Sequence, residues 1–401
     1  MNWDTILDKQ FKMTDSGRID RIRDLYTTFN HQVDLQALKD CGYLTALEEM
    51  MEPILNNFDD RSPEVIAYWA KRGMVKECHG DNDVMSWSEY ESKTGYRWEG
   101  PREQGIQNLH KKWNSFVPVS AFRPENKDRK YPVVVVLHGG FNPISIIDGW
   151  GFVQEAAKRE WIVVVPSIEL DDILDEILAQ AKALYPVDES RIYATGFSYG
   201  GFMSNFLGNK RPDVYAAVAP CGAPISNGLV EKAIGPEPQT PFDGKSRAKA
   251  MGVYMPVLNI AGNLDGNRFP VYDVGYPKDG APDMMWHITP DLIVDGINHW
   301  LDVNDAPLLS VDAVMAVKNN PNATEVEKNI GLPLSEGRKV VADGIVNYVG
   351  DLKSRDGVTR VRIMVEMNMP HWPTPEMSRQ IFEFFSHFSR DPETKESIYT
   401  A

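Results

Sequence analysis

The fold class this chain predicts is α/β: a doubly wound, mostly parallel sheet, with a helical N-terminal extension and one insertion near the functional edge. Three observations predict it. From about residue 115, short apolar runs alternate with stretches of helical spacing, the order of a parallel sheet whose crossovers are helices. The runs at 131–137 and 161–166 are β-branched on both faces, as strands covered from two sides must be. Finally, Gly196-Phe197-Ser198-Tyr199-Gly200 stands between a strand-like run at 191–195 and a helix-like run at 201–207. Glycines on either side of such a turn let it close tightly and leave the serine hydroxyl at its tip.

Residues 1–114 read as a mainly helical extension. Segments 18–26 and 46–55 carry apolar residues at helical spacing, and Ser62-Pro63 places a cap and then a proline where a helix begins. This region carries no chemical motif, and its aromatics Trp69, Trp87, Tyr90 and Trp98 read as packing residues. The main domain then spans 115–401. Residues 113–119 alternate like a half-exposed strand, and 126–129 form a charged turn. Strands are expected at 131–137, 161–166, 191–195, 214–219, 256–262 and 360–366, with helices at 155–159, 170–185 and 310–317. The stretch from Asp265 to the last hairpin is longer than one crossover helix needs. The excess, 268–308, is rich in Pro, Gly, Asp and aromatic residues and is expected to overhang the site as a lid. Its Met284, Met285, Trp286 and Trp300 would then line an acyl or aromatic pocket.

Composition narrows the class further. A chain of 401 residues with 42% apolar and 25% charged residues can bury a substantial core. A formal charge of −15 argues against nucleic acid or an anionic membrane as partner. No apolar run approaches the ~20 residues needed to span a bilayer. The cysteines Cys41, Cys78 and Cys221 are scattered and odd in number, and the N-terminus lacks a basic-then-apolar leader, so a reducing cytoplasm is the expected location. No cluster has metal-ligand spacing, and no phosphate loop or nicotinamide fingerprint is present, so no cofactor or metal is expected.

A serine hydroxyl needs a base, and the base needs an orienting carboxylate, all beyond the carboxyl ends of the strands. The strand ending at Gly262 leads into Asn263-Leu264-Asp265-Gly266, and the strand 360–366 leads into Met369-Pro370-His371-Trp372. Ser198, Asp265 and His371 thus come in the order nucleophile, acid, base. Asp273, Asp295 and Asp302 are rivals for the acid, and His287 and His299 for the base. An oxyanion hole requires two backbone N–H donors. Tyr199, after the nucleophile, would supply one, and Gly140, with Gly139 next, the other from Leu137-His138-Gly139-Gly140. His138, Phe141 and Trp372 flank these groups as candidate substrate contacts, with His138 also suited to bracing the oxyanion loop. His31, His79, His110 and His387 read as surface or packing residues.

Together, Leu137-His138-Gly139-Gly140, Thr195 to Gly201, Gly262-Asn263-Leu264-Asp265 and Pro370-His371-Trp372-Pro373 resemble the polyhydroxybutyrate depolymerase and feruloyl esterase-like group of α/β-hydrolases. The hairpin segments Gly344 to Tyr348, Arg355-Asp356-Gly357 and Val361 to Ile363 are similar to that group as well. The histidine motif departs from the group's pattern: the spacer inside His-x-Trp-Pro and the preceding glycines are absent, and so is a cysteine common in the hairpin. The resemblance covers about 115–390. It implies ester hydrolysis through an acyl-serine without cofactor, on small or oligomeric hydroxyalkanoate or hydroxycinnamoyl esters. A prolyl-oligopeptidase-like peptidase and an acyltransferase are the alternatives on the same fold, and a non-catalytic binding protein is a third. A histidine base implies little activity at about pH 5 and a plateau above neutrality. The N-terminal helices would cap the cleft, form a dimer surface or pad the sheet.

Overall fold

The computed structural model describes residues 61, 63–80, 112–139, 151–167, 171–223, 246–263, 265, 290–342, 345–367 and 373–401, together with Ser88, Glu91, Ser92, Ile144 and Ile147. Among these, ten strands form one sheet in the order β1-β2-β4-β3-β5-β6-β7-β10-β9-β8. They are β1 (Met74–His79), β2 (Trp113–Pro118), β3 (Tyr131–Leu137), β4 (Ile162–Pro166), β5 (Val187–Phe197), β6 (Ala217–Cys221), β7 (Val257–Gly262), β8 (Glu336–Ala342), β9 (Ile345–Lys353) and β10 (Thr359–Glu366). The central strands β4, β3, β5, β6, β7 and β10 are parallel, and antiparallel pairs close both flanks.

Alternation along each central strand sends side chains into two cores. Val133, Val135 and Leu137 join one cluster, and Val134 and Val136 the other. Of the described helices, α1 (Pro63–Lys71), α2 (Phe152–Arg159) and α9 (Pro375–Ser386) cover the second face. The first face is covered by α3 (Asp171–Leu184), α4 (Tyr199–Lys210), α5 (Arg247–Met251), α6 (Pro290–Val303), α7 (Val311–Ala316) and α8 (Glu325–Ile330). Burial from both sides explains why the strand sequences are continuous apolar runs.

Three expectations change. The strand at 113–118 is buried at every position, where half exposure was expected. Trp69 of α1 packs edge-on against Phe116 at 5.5 Å on one face, and Trp113 donates to Gln180 of α3 at 3.1 Å on the other. The boundary at 114/115 also cuts the sheet, because β1, from the supposed extension, pairs antiparallel with β2 along its whole length. A six-residue edge strand with mixed polarity has too little periodicity to stand out in a helical region. Third, the end of the supposed lid is part of the core: α6 buries Ile293, Ile297, Trp300 and Leu301. Residues 268–289 lie outside the described residues.

Candidate active site

The sheet order reverses at β3. From β3 the chain crosses to β4 on one side and returns to β5 on the other. The carboxyl ends of β3 and β5 lie side by side, with Leu137 opposite Gly196. Connections leaving two neighbouring strands in opposite directions open a crevice there, the site where open α/β sheets bind ligands. Ser198 and His138-Gly139 both stand at this point.

The turn carrying Ser198 is held in a conformation that L-residues rarely adopt. Ser198 has φ 57° and ψ −116°, between the end of β5 and the first residue of α4. Its N–H donates to the Cys221 carbonyl at 2.9 Å, and its carbonyl accepts from Phe202 N at 3.1 Å. The Gly200 N–H donates to the His138 carbonyl at 3.0 Å, which ties the elbow to the loop after β3. Such closeness excludes side chains. A Cβ at Gly200 would lie 2.3 Å from the Leu137 oxygen, one at Gly196 2.6 Å from the Gly200 backbone, and one at Gly201 2.5 Å from the Cys221 oxygen. Strain of order 1–3 kcal/mol persists at one residue only where its surroundings over-determine it. Here three close backbone contacts do so.

His138 is buried, with Nδ1 2.7 Å from the Gly139 carbonyl and Nε2 3.3 Å from the Ser167 carbonyl. Burial holds its pKa below the usual imidazole value, while those two carbonyls oppose the shift. The ring therefore links the ends of β3 and β4 and shapes the loop expected to supply an oxyanion donor. Both ring nitrogens are thus turned to main-chain oxygens, the arrangement of a residue that braces the loop.

Asp265 is buried (1% exposed) three residues beyond β7, and its N–H donates to the Gly262 carbonyl at 3.1 Å. Neighbouring β10 runs parallel, with Glu366 opposite Gly262, and the Asn263 N–H donates to the Glu366 carbonyl at 2.9 Å. The acid loop and the segment leading to His371 thus leave adjacent strands at the same edge. Rivals fall away. Asp295 is exposed on α6, and Asp302 is ion-paired with Lys249 at the surface. His299 is held by Asn209 at 2.6 Å, and burial pushes its pKa down to about 4.

Trp300 belongs to the core and not to a pocket. A Cβ at Gly208 would lie 3.2 Å from its ring, ten residues along α4 from Ser198, or about 15 Å at the helical rise. His371, Gly140, Phe141, Met284, Met285, Trp286 and Trp372 lie outside the described residues.

Glu366 is a residue of this region that the sequence motifs miss. It is fully buried at the end of β10, where its Oε1 accepts from Thr374 Oγ1 at 2.6 Å. Burial raises its pKa to about 8; the Thr374 hydrogen bond opposes this, the nearby Glu376 adds to it, and Arg379 offsets part. A charged residue closing a strand otherwise apolar in that half (Ile363, Met364, Val365) was the available signal.

Known proteins agree with this geometry. The Prolyl oligopeptidase family profile matches residues 159–237, a span that includes β5, the elbow and α4. Feruloyl esterase B of Thermothelomyces thermophilus is 31% identical over 233 residues, covering 52% of this chain and 76% of that protein. Feruloyl esterase B of Piromyces equi is 38% identical over 128 residues, 30% of this chain and 20% of its own length. Poly(3-hydroxyalkanoate) depolymerase C of Paucimonas lemoignei is 27% identical over 119 residues, 24% of this chain and 29% of the depolymerase. Among the described residues no helix is long and apolar enough to cross a membrane. With its strained serine at the sheet's switch point and its likeness to three quarters of a feruloyl esterase, the chain belongs to the feruloyl esterase-like group of α/β-hydrolases, serine hydrolases that cleave carboxylic esters.

Proposed function

We propose that this protein hydrolyses small or oligomeric hydroxycinnamoyl or hydroxyalkanoate esters through an acyl-serine intermediate on Ser198. The observation that carries the reading is the Ser198 backbone, at φ 57° in a turn whose flanking glycines leave no room for a Cβ. Such strain serves to present a hydroxyl at the crevice between β3 and β5. Ser198 Oγ would attack the ester carbonyl carbon while His371 takes its proton. The carbonyl oxygen, now an oxyanion, would be held by the Tyr199 N–H and by a donor from Gly140 or Gly139. Collapse of this intermediate expels the alcohol, which takes the proton from His371. Water then attacks the acyl-serine by the same route in reverse, and Asp265 keeps the imidazole oriented throughout. The chemistry asks for no cofactor.

A second reading, cleavage of peptide bonds, is favoured by the profile match at 159–237. Acyl transfer to an acceptor other than water uses the same intermediate. The discriminating experiment is an ester panel, p-nitrophenyl acetate to decanoate with methyl ferulate and a hydroxybutyrate dimer, beside a peptide amide panel, on wild type and Ser198→Ala. Ester turnover that disappears in Ser198→Ala is the expected result. Turnover confined to the peptide amides would replace ester hydrolysis with the second reading. Ester cleavage surviving in Ser198→Ala would remove the acyl-serine.

A further inference from the structure

Glu366 sits where three parts of the site meet. Its carbonyl accepts from Asn263 N in the loop carrying Asp265. Its side chain, two residues on from Met364 and so on the same face of β10, faces the core beneath α2 and α9. There Oε1 accepts from Thr374 Oγ1 at 2.6 Å, and the same Thr374 Oγ1 caps α9 by accepting from Met377 N at 3.2 Å. Oε2 is buried and has no hydrogen-bond partner among the described residues. Between these two anchors, eight residues apart in sequence, runs the segment that carries His371.

We propose that Glu366 is the positioning residue for His371: its carboxyl ties the end of β10 to the first turn of α9 and so fixes both ends of the segment bearing the base. The proposal rests on the reading of His371 as general base.

The surroundings of the anchor set its chemistry. A buried carboxylate needs partners for both oxygens, and among the described residues this one has a single donor. The groups facing it are Thr374 and Glu376 at the start of α9, Arg379 one turn on, and the buried Cys221 thiol from β6. Arg379 offsets part of a charge on Glu366 but is itself engaged by Glu376 at 2.9 Å, so burial prevails. The anchor therefore works as a neutral acid. Above pH 8 it ionises, the slot draws in water, and the tie between the end of β10 and the start of α9 weakens.

The test is hydrolysis of p-nitrophenyl acetate from pH 5.5 to 10 by wild type, Glu366→Gln, Glu366→Ala, Thr374→Val and Thr374→Ser, with Ser198→Ala as the blank. For the wild type, kcat is expected to fall reversibly above about pH 8. Glu366→Gln, uncharged and of the same shape, should lose a few-fold at neutral pH and lack the alkaline fall. Glu366→Ala and Thr374→Val should lose about a hundredfold in kcat with KM little changed, the effect of a misplaced catalytic group. Thr374→Ser should restore most of it. A wild-type plateau reaching pH 10, an unaltered alkaline fall in Glu366→Gln, or full kcat in Glu366→Ala would each overturn the proposal. Should Glu366→Ala not fold, the Glu366→Gln profile and the Thr374 pair still decide. Activity persisting in Ser198→Ala removes the catalytic reading and the positioning role with it. An inactive Ser198→Ala beside a wild-type-like Glu366→Gln profile removes the positioning role alone.

Discussion

Ser198 accepts a backbone conformation that costs stability in exchange for an exposed nucleophile, and the glycines around it accept the absence of any side chain. This makes Gly200 the least substitutable of them. Its missing Cβ would lie 2.3 Å from the Leu137 oxygen and 2.7 Å from the His138 oxygen, both main-chain atoms that cannot rotate away. Gly200→Ala is expected to destabilise the fold by about 3 kcal/mol or more, or to shift the elbow and abolish activity. Chemical denaturation and phosphonate labelling of Ser198 read out the two consequences. Asp265→Asn tests the acid. If Asp265 orients the base, kcat should drop by roughly four orders of magnitude while KM stays within a few-fold. A mild effect would return the assignment to another carboxylate.

At the scale of elements, stability depends on how each strand end is tied to its neighbours. The β10–α9 connection is tied by Glu366 and Thr374, and the end of the chain by Arg390 in β11 (Phe388–Arg390), which pairs with β12 (Ser397–Tyr399). The buried Arg390 guanidinium donates to the carbonyls of Tyr215, Lys395 and Tyr254 at 2.9, 2.6 and 2.8 Å. Burial drives its pKa down to about 10, so it stays charged at neutral pH. Arg390→Met should cost about 2–4 kcal/mol in urea unfolding, because several carbonyls lose a charged donor at once. The folded variant should keep its kcat, since Arg390 lies far down the sheet from the elbow, near the start of β6. A loss of kcat without a loss of stability would contradict this structural role.

Over the whole molecule, buried titratable groups set opposite slopes of stability with pH. Burial lowers the pKa of His138 and of His299, the latter to about 4. The unfolded chain takes up their protons first, so their contribution is intact above about pH 6.5 and is lost as pH falls toward their folded values. Each histidine contributes at most about 1.4 kcal/mol per pH unit in that window. His299→Gln, able to donate to Asn209, should flatten the acid limb of thermal stability; an unchanged limb would sink the assignment. Glu366 acts the other way. Its raised pKa gives stability present below about 4.5 and lost as pH rises toward about 8. Glu366→Gln should therefore gain thermal stability over wild type at pH 8 and not at pH 5.

The sequence alone determined whatever depends on near neighbours in the chain. Strands 131–137 and 257–262, helix 171–184 and the glycine elbow are all legible, because backbone preference and hydrophobic period act over a few residues. Serine, acid and histidine could be ordered along the chain because each comes after a strand with a clear signature. Only the tertiary structure decided which strands lie side by side and what a residue is buried against. It joined residues 74–79 to the sheet edge and moved Trp300 from an expected pocket into the core. It set the buried His138 ring against the Gly139 and Ser167 carbonyls, and placed Glu366 in a buried slot against Thr374. The physical reason is common to all four. Burial, desolvation and close contact arise between segments far apart in sequence, and no local pattern of residues encodes them.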